Sequence, residues 1–223
     1  MKTVYIPMDS AALALGADEL VAPLQAWASD HGQEIRIVRN GSRGMLWLEP
    51  LIEVETERGR VGYAGASVDT LAQWLAAGLI DGAPLDSSIG VVDEHPYLRG
   101  QERLTFARIG LTDPLSLDDY EAHGGWTGLR RALDMDSAAM VQTVLDSGLR
   151  GRGGAAFPAG IKWQTVLAQN AAQKYVVCNA DEGDSGTFSD RLLMESDPYT
   201  LIEGMVIAGL AVQATQGFIY VRA

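Results

Sequence analysis

A single cysteine, Cys178, occurs in the 223 residues. The chain therefore forms no internal disulfide and builds no cysteine-ligated zinc or iron–sulfur site by itself. Histidine is nearly as scarce: His31, His95 and His123 lie far apart and show no metal-ligand spacing, so no metal site is expected. Basic charge is also short, with 17 Lys and Arg against 29 Asp and Glu and a net charge of −12. That balance argues against nucleic acid, because neutralising phosphates takes clustered Lys and Arg. The acidity itself names no partner, since net charge mainly serves solubility. Long apolar runs are missing. The first residues, Met1-Lys2-Thr3-Val4-Tyr5-Ile6-Pro7-Met8-Asp9, lack the apolar core of a signal peptide. The most apolar stretch, residues 201–212, is broken by Glu203 and is too short to span a bilayer. A cytoplasmic protein without membrane or nucleic-acid partners is expected.

What is present is ordinary globular composition, 47% hydrophobic and 21% charged, enough for a core and for one large or two modest domains. The first third alternates strand and helix signals. Residues 3–6 read as a strand and 17–30 as an amphipathic helix with Leu20, Leu24 and Trp27 on one stripe. Residues 34–38 alternate like a half-buried strand, and a glycine-punctuated loop follows at 40–44. Residues 51–55 and 60–63 predict a hairpin turning near Arg58-Gly59, and Ser67 is placed to cap a helix carrying Val68, Leu71, Trp74 and Leu75. This order fits a small α/β sandwich of thioredoxin type over residues 1–80. Prolines 84, 96 and 114 and glycines 82, 90, 100 and 110 then predict an extended linker over 81–124. From 125 to 223 the pattern is α/β again. Helices are expected at 128–135, 136–147 and 161–169 and strands at 175–178 and 218–221. A long helix should start at Asp197-Pro198, apolar on both sides and therefore buried.

The densest signal is Leu149-Arg150-Gly151-Arg152-Gly153-Gly154-Ala155-Ala156-Phe157-Pro158-Ala159-Gly160-Ile161-Lys162-Trp163. Glycines let backbone amides approach an anion, and the following helix N-terminus adds positive potential. Lys162, one turn into that helix, is placed to reach a phosphate. The plainer reading is a flexible turn with solvated arginines. Known phosphate loops do not decide the matter. Gly151-x-Gly153-x-x-Ala156 meets a loose dinucleotide fingerprint, but a helix precedes it where a strand is required. Gly160 is not followed by the Lys-Ser/Thr of a Walker loop.

A second loop, Asn179-Ala180-Asp181-Glu182-Gly183-Asp184-Ser185-Gly186-Thr187-Phe188, leaves the strand Val176-Val177-Cys178 at its carboxyl end, where open α/β sheets place ligands. Asn and carboxylates there can bind ribose hydroxyls or the polar edge of a flavin ring. Against this stands a helix cap plus ordinary acidic surface. Cys178 reads as packing, since no histidine is near it in sequence. Nothing marks two carboxylates as facing one substrate, so acid–base catalysis is not supported.

Three blocks, residues 148–163, 177–191 and 201–222 with Leu201-Ile202-Glu203-Gly204-Met205, resemble in order and spacing the NADH-oxidising FMN/iron–sulfur flavoprotein family. That family includes the flavin subunit of respiratory complex I, the diaphorase subunit of NAD-reducing hydrogenases and the β subunit of NAD-dependent molybdenum or tungsten formate dehydrogenases. Gln101-Glu102-Arg103-Leu104-Thr105-Phe106-Ala107 and Asp113-Pro114-Leu115-Ser116-Leu117-Asp118-Asp119-Tyr120 look most like the formate dehydrogenase β subunit. The resemblance implies a thioredoxin-like domain followed by the first part of a Rossmann-like α/β FMN-binding domain. It implies FMN and NAD as cofactors. The backbone of Gly151, Arg152, Gly153 and Gly154 with Lys162 would hold the phosphate side, and Asn179, Asp181 and Glu182 would contact the flavin. Phe157 would stack on NAD, with Asp184 near its ribose or nicotinamide. Because the flavin performs hydride transfer, no catalytic side chain is implied.

The sequence departs from the family pattern in four places. Ala156 sits where glycine is usual, Thr165 where some relatives are aromatic, and Asp184 where many have Glu. In cluster-bearing relatives of the thioredoxin-like ferredoxin type, the positions of Ser42 and Leu46 in Gly41-Ser42-Arg43-Gly44-Met45-Leu46, ahead of Glu49-Pro50-Leu51, are cysteines. No [2Fe–2S] cluster is therefore expected here, and the domain should serve docking or structure. The chain ends at Tyr220-Val221-Arg222-Ala223, inside what reads as a core strand, so an N-terminal fragment is expected. A [4Fe–4S] cluster is implied only for the missing C-terminal half. The implied partners are a [2Fe–2S] γ subunit and a molybdenum- or tungsten-containing α subunit of a formate dehydrogenase. The rivals are a diaphorase of a hydrogenase or of complex I, and a flavin-free assembly module.

Overall fold

Short alternating segments near the N-terminus build a sheet because their apolar residues fall on one face. The computed structural model describes residues 1–222. Strand β1 (Lys2–Tyr5) leads into helices α1 (Ser10–Ala14) and α2 (Val21–Asp30) and then β2 (Ile35–Val38), which runs parallel to β1. The expected hairpin forms as β3 (Ile52–Thr56) and β4 (Gly59–Tyr63), paired antiparallel with Val54 opposite Val61. Helix α3 (Val68–Ala76) follows. Ser67 caps it reciprocally: its hydroxyl accepts from the Thr70 amide at 3.2 Å, and Thr70 Oγ1 accepts from the Ser67 amide at 2.9 Å. Val4, Ile6, Leu20, Leu24, Ile52, Val54, Tyr63 and Leu71 form the core between the sheet and these helices.

Residues 81–124 are not an extended linker throughout. Strand β5 (Ser88–Val91) pairs antiparallel with β4 and completes a five-stranded sheet in the order β2-β1-β3-β4-β5. Helices α4 (Pro96–Arg99) and α5 (Leu117–Ala122) follow it. Gly62 records the close packing here: a Cβ on it would lie 2.8 Å from Val92 and 2.9 Å from Ile89. Val92 and Leu98 join Met45 and Leu51 in a second apolar cluster. Arg60 donates to the carbonyls of Gly110 and Leu111 at 2.9 and 3.0 Å, so the stretch is bonded to the sheet. Elements of four residues carry too little periodicity to be read from sequence.

This first unit comprises Met1–His123 together with Leu192–Asp197. Its loop 40–50 is filled by polar side chains. Arg43 makes a bidentate pair with Glu53, both hydrogen bonds 2.8 Å, and reaches Asp93 at 3.1 Å. Asp9 accepts from the amides of Ala11, Ala12 and Ser42. The returning segment fits closely: Gly41 faces Ser196, Glu195 accepts from both the amide and hydroxyl of Ser10, and Asp197 pairs with Arg108 at 3.0 Å.

The second unit holds Gly124–Arg191 and the residues from Pro198 on. Helices α6 (Thr127–Leu133), α7 (Ser137–Asp146) and α8 (Ala159–Leu167) precede β6 (Tyr175–Ala180). Helix α9 (Ser189–Ser196), α10 (Pro198–Val212) and β7 (Gln216–Val221) complete the chain. β6 and β7 pair in parallel, Tyr175 opposite Gln216 and Ala180 opposite Val221. Ala132, Met140, Val141 and Ala211 form the core. Gly160 sets the approach of α8 to α7, since a Cβ there would lie 2.7 Å from the Leu145 backbone. Glu203 is buried on α10 and accepts from the amides of Trp126 and Leu129 at 2.9 and 2.8 Å, fixing the start of α6.

One expectation for α10 fails. Only the side bearing Ala208, Ala211 and Val212 is buried; Ile202, Val206 and Leu210 remain 42%, 42% and 36% exposed. With Val176, Met205 and Ile219 they line a groove of about 400 Å³. The helix is apolar on both sides, as read, but one side has no cover among the described residues. No helix of the described residues is long and apolar enough to cross a membrane.

Candidate functional site

Helix α7 stops at Gly148, whose φ of +69° gives the left-handed turn that ends helices. The glycine loop then closes on itself. The Gly151 amide donates to the Phe157 carbonyl at 2.9 Å and the Ala159 amide to the Leu149 carbonyl at 2.8 Å. Gly154 takes φ +97° and Ala156 φ +50°. Between these neck bonds, the amides of Arg152, Gly153, Gly154, Ala155 and Ala156 have no hydrogen-bond partner among the described residues. A Cβ on Gly153 or Gly154 would meet nothing within 4 Å, so the loop is uncrowded at these two positions.

Lys162 lies one turn into α8, directly after the loop, with Nζ 5.8 Å from the centroid of the half-exposed Phe157 ring. The loop therefore offers free N–H donors, a helix N-terminus and one ammonium. That donor set fits a phosphate. Gly160, by contrast, serves helix packing and belongs to no cradle.

The acidic loop leaves the carboxyl end of β6. Asn179 is exposed, and its side-chain oxygen accepts from the Asp181 amide at 3.2 Å. Asp181 and Asp184 are exposed. Glu182, expected as a flavin contact, is bonded to the start of α9. One carboxylate oxygen accepts from Ser189 Oγ and the Asp190 amide, and the other from the Arg191 amide, all at 3.1 Å. It caps the first turn of α9. Burial works against its charge, but these hydrogen bonds outweigh burial and hold the carboxyl below the usual glutamate range. Burial pushes Asp190 upward, and the neighbouring Glu182 adds to it.

Two arginines that sequence reasoning left out appear here. Arg222 donates to the Gly183 carbonyl at 3.3 Å, and Arg191 lies over the Phe188 ring, 4.5 Å from its centroid. Arginine in a strand end or a helix gives no local signal of such contacts. Cys178 is partly buried, and burial, with Asp190 nearby, raises its thiol above the usual value, opposite to an activated nucleophile.

Both loops belong to the second unit, but no hydrogen bond or ion pair joins them among the described residues. Among the described residues no group of three or more His, Cys, Asp or Glu is arranged to hold a metal ion.

Residues 144–223 match the family described as the Nuo51 FMN-binding domain, complex I 51 kDa type. The chain is 51% identical over 123 residues to the NADP-reducing hydrogenase subunit HndC of Solidesulfovibrio fructosivorans, covering 55% of this chain and 25% of that one. It is 43% identical over 122 residues to an NADH-quinone oxidoreductase subunit of Rhizobium meliloti, covering 54% and 29%. It is 45% identical over 102 residues to the alpha subunit of the NAD-reducing hydrogenase HoxS of Cupriavidus necator, covering 44% and 17%. The chain thus spans under a third of the length of these curated relatives. A solved NAD+-reducing [NiFe]-hydrogenase chain aligns with 99% of this chain and 37% of its own, at 21% identity and a TM-score of 0.43. At that distance it assigns nothing.

Proposed function

We propose that this chain is the FMN- and NAD(H)-handling N-terminal part of a diaphorase subunit in a multi-subunit NAD-dependent oxidoreductase. The observation that carries the reading is the closed glycine loop. Its amides from Arg152 to Ala156 stay unpartnered in front of α8, within the stretch that matches an FMN-binding family. FMN, when bound, supplies the hydride chemistry and single-electron transfer; the protein supplies placement.

The amides of Arg152, Gly153 and Gly154 and Lys162 would hold the phosphate; the Gly151 amide, expected to join them, is taken up by the Phe157 carbonyl at the neck. Asn179 and Asp181, at the end of β6, would meet the polar edge of the ring system. Glu182 acts through α9, holding the acidic loop in place with the carboxylate that caps Ser189–Arg191. Phe157 is exposed enough to stack on a nicotinamide or adenine once Lys162 leaves its face. Asp184 would stand near the NAD ribose, with shorter reach than a glutamate. These side chains bind and orient, and none moves a proton.

The formate dehydrogenase β subunit is the finer reading. It rests on residues 101–107 and 113–120 and brings with it a [2Fe–2S] γ subunit and a molybdenum or tungsten α subunit. Complex I and hydrogenase diaphorases are the alternatives; the catalytic subunit that copurifies separates them.

The first unit is proposed as a thioredoxin-like domain that holds no cluster. A [2Fe–2S] group does not fit its 40–50 loop: that loop has no thiolate, and Ser42 is buried in hydrogen bonds with Asp9 and Gly44.

The uncovered stripe of Ile202, Val206 and Leu210 favours one other reading, a flavin-free assembly module. Titrating the chain with FMN, followed by NADH-dependent dye reduction, decides between them. Stoichiometric FMN binding supports the diaphorase reading, and no binding at saturating flavin supports the module.

A further inference from the structure

None of the roles above uses Arg150. It sits at the neck of the glycine loop, where residues 150 and 158 form an isolated antiparallel bridge flanked by the Gly151–Phe157 and Leu149–Ala159 hydrogen bonds. Its side chain does not point idly into solvent. Nη1 donates to the Ala156 carbonyl at 2.9 Å, across the base of the loop.

Ala156 is the residue that needs such help. Its φ of +50° is the left-handed conformation, in which a Cβ crowds the following carbonyl, so an alanine adopts it only when something holds it there. If Ala156 relaxed to negative φ, the adjoining peptide planes would turn and reorient the unpartnered amides beside them.

We propose that Arg150 is a positioning residue that holds the glycine loop in its anion-binding form by clamping the Ala156 carbonyl. This rests on the FMN reading for its ligand, but the clamp itself concerns the loop alone. The competent loop conformation sets apparent affinity through its population, so loss of the clamp weakens phosphate-side binding without touching any ligand contact. Because the strain resides in the Cβ of Ala156, glycine there makes the clamp less necessary.

The test is a four-protein cycle on the 223-residue chain: unchanged, Arg150→Met, Ala156→Gly, and both together. FMN affinity is read from quenching of flavin fluorescence. Exchange of the Gly151 and Ala159 amides, which bond across the neck, is read in the absence of flavin. Arg150→Met should weaken FMN binding roughly three- to tenfold when residue 156 is alanine and much less when it is glycine. Protection of the two neck amides should fall in the same pattern. Arg150→Lys, which keeps one donor, should recover part of both.

Equal losses in the two backgrounds, or neck protection unchanged by Arg150→Met, overturn the clamp. If the unchanged chain binds no FMN, the diaphorase reading fails, and the amide exchange still decides the clamp.

Discussion

Glu49 shows how much a single buried group can govern. It lies in the polar loop of the first unit, 7% exposed, with Oε2 accepting from the Leu51 amide at 2.9 Å. Burial raises its carboxyl from 4.5 to about 7, partly offset by hydrogen bonds from Ser42 and Leu51 and reinforced by Asp9 and Glu53. The folded protein therefore binds this proton more tightly than the unfolded chain. Stability falls as pH rises from about 4.5 to about 7, by up to roughly 3 kcal/mol, and stays at the lower level above it. Asp9 is shifted in the same direction by burial. Glu49→Gln should flatten this slope and raise the melting temperature at pH 8 relative to pH 5, as thermal unfolding at both pH values would show. An unchanged slope would show that Glu49 titrates normally. At the binding loop, Lys162→Met should weaken FMN binding about tenfold, because a charge-assisted bond is lost, while leaving the melting temperature of the flavin-free chain unchanged. Lys162 was legible from its place one turn after the glycines. Glu182 was legible only as one of two readings, cap or ligand, because sequence shows which residues neighbour a loop and not which amide a carboxylate accepts from.

At the scale of elements, two contacts hold the glycine loop's scaffold. Gly160→Ala would put a Cβ 2.7 Å from the Leu145 backbone, which cannot yield as a flexible side chain can. Helices α7 and α8 must then separate, at a cost of about 1–3 kcal/mol. Both flank the loop, so the variant should lose thermal stability and FMN affinity together. Glu203→Ala would remove the carboxylate acceptor of the part-buried amides of Trp126 and Leu129 at the head of α6, costing about 1–3 kcal/mol by denaturant unfolding. Strands and helices with clean periodicity, such as β3, β4, α3 and α7, were readable within a residue or two. β5, α4 and α5 were not. Their four to six residues, broken by glycine and proline, are fixed by the bonds of Arg60 and the packing of Val92, which are long-range. The apolar faces of α10 were also readable, but its burial depends on what packs against Ile202, Val206 and Leu210, which its own sequence does not specify.

For the whole molecule, the two-part organisation follows from where the periodic segments lie. The grouping of the returning segment Leu192–Asp197 with the first unit has no sequence signature: Glu195 looks like a surface acid until Ser10 is seen beside it, and Asp197, read only as the start of α10, pairs with Arg108. The chemistry of the first unit follows from the absence of thiols. Iron and labile-sulfide assays on the chain should find neither, and a stoichiometric [2Fe–2S] signal would contradict that unit's assignment. In the proposed diaphorase, the glycine and acidic loops of the second unit would form the phosphate and ring sides of a flavin site. Equilibrium titration of the purified 223-residue chain with FMN tests it most directly. One FMN per chain, bound in a manner weakened by Lys162→Met, is the predicted result; no binding at saturating FMN by a folded chain would contradict it.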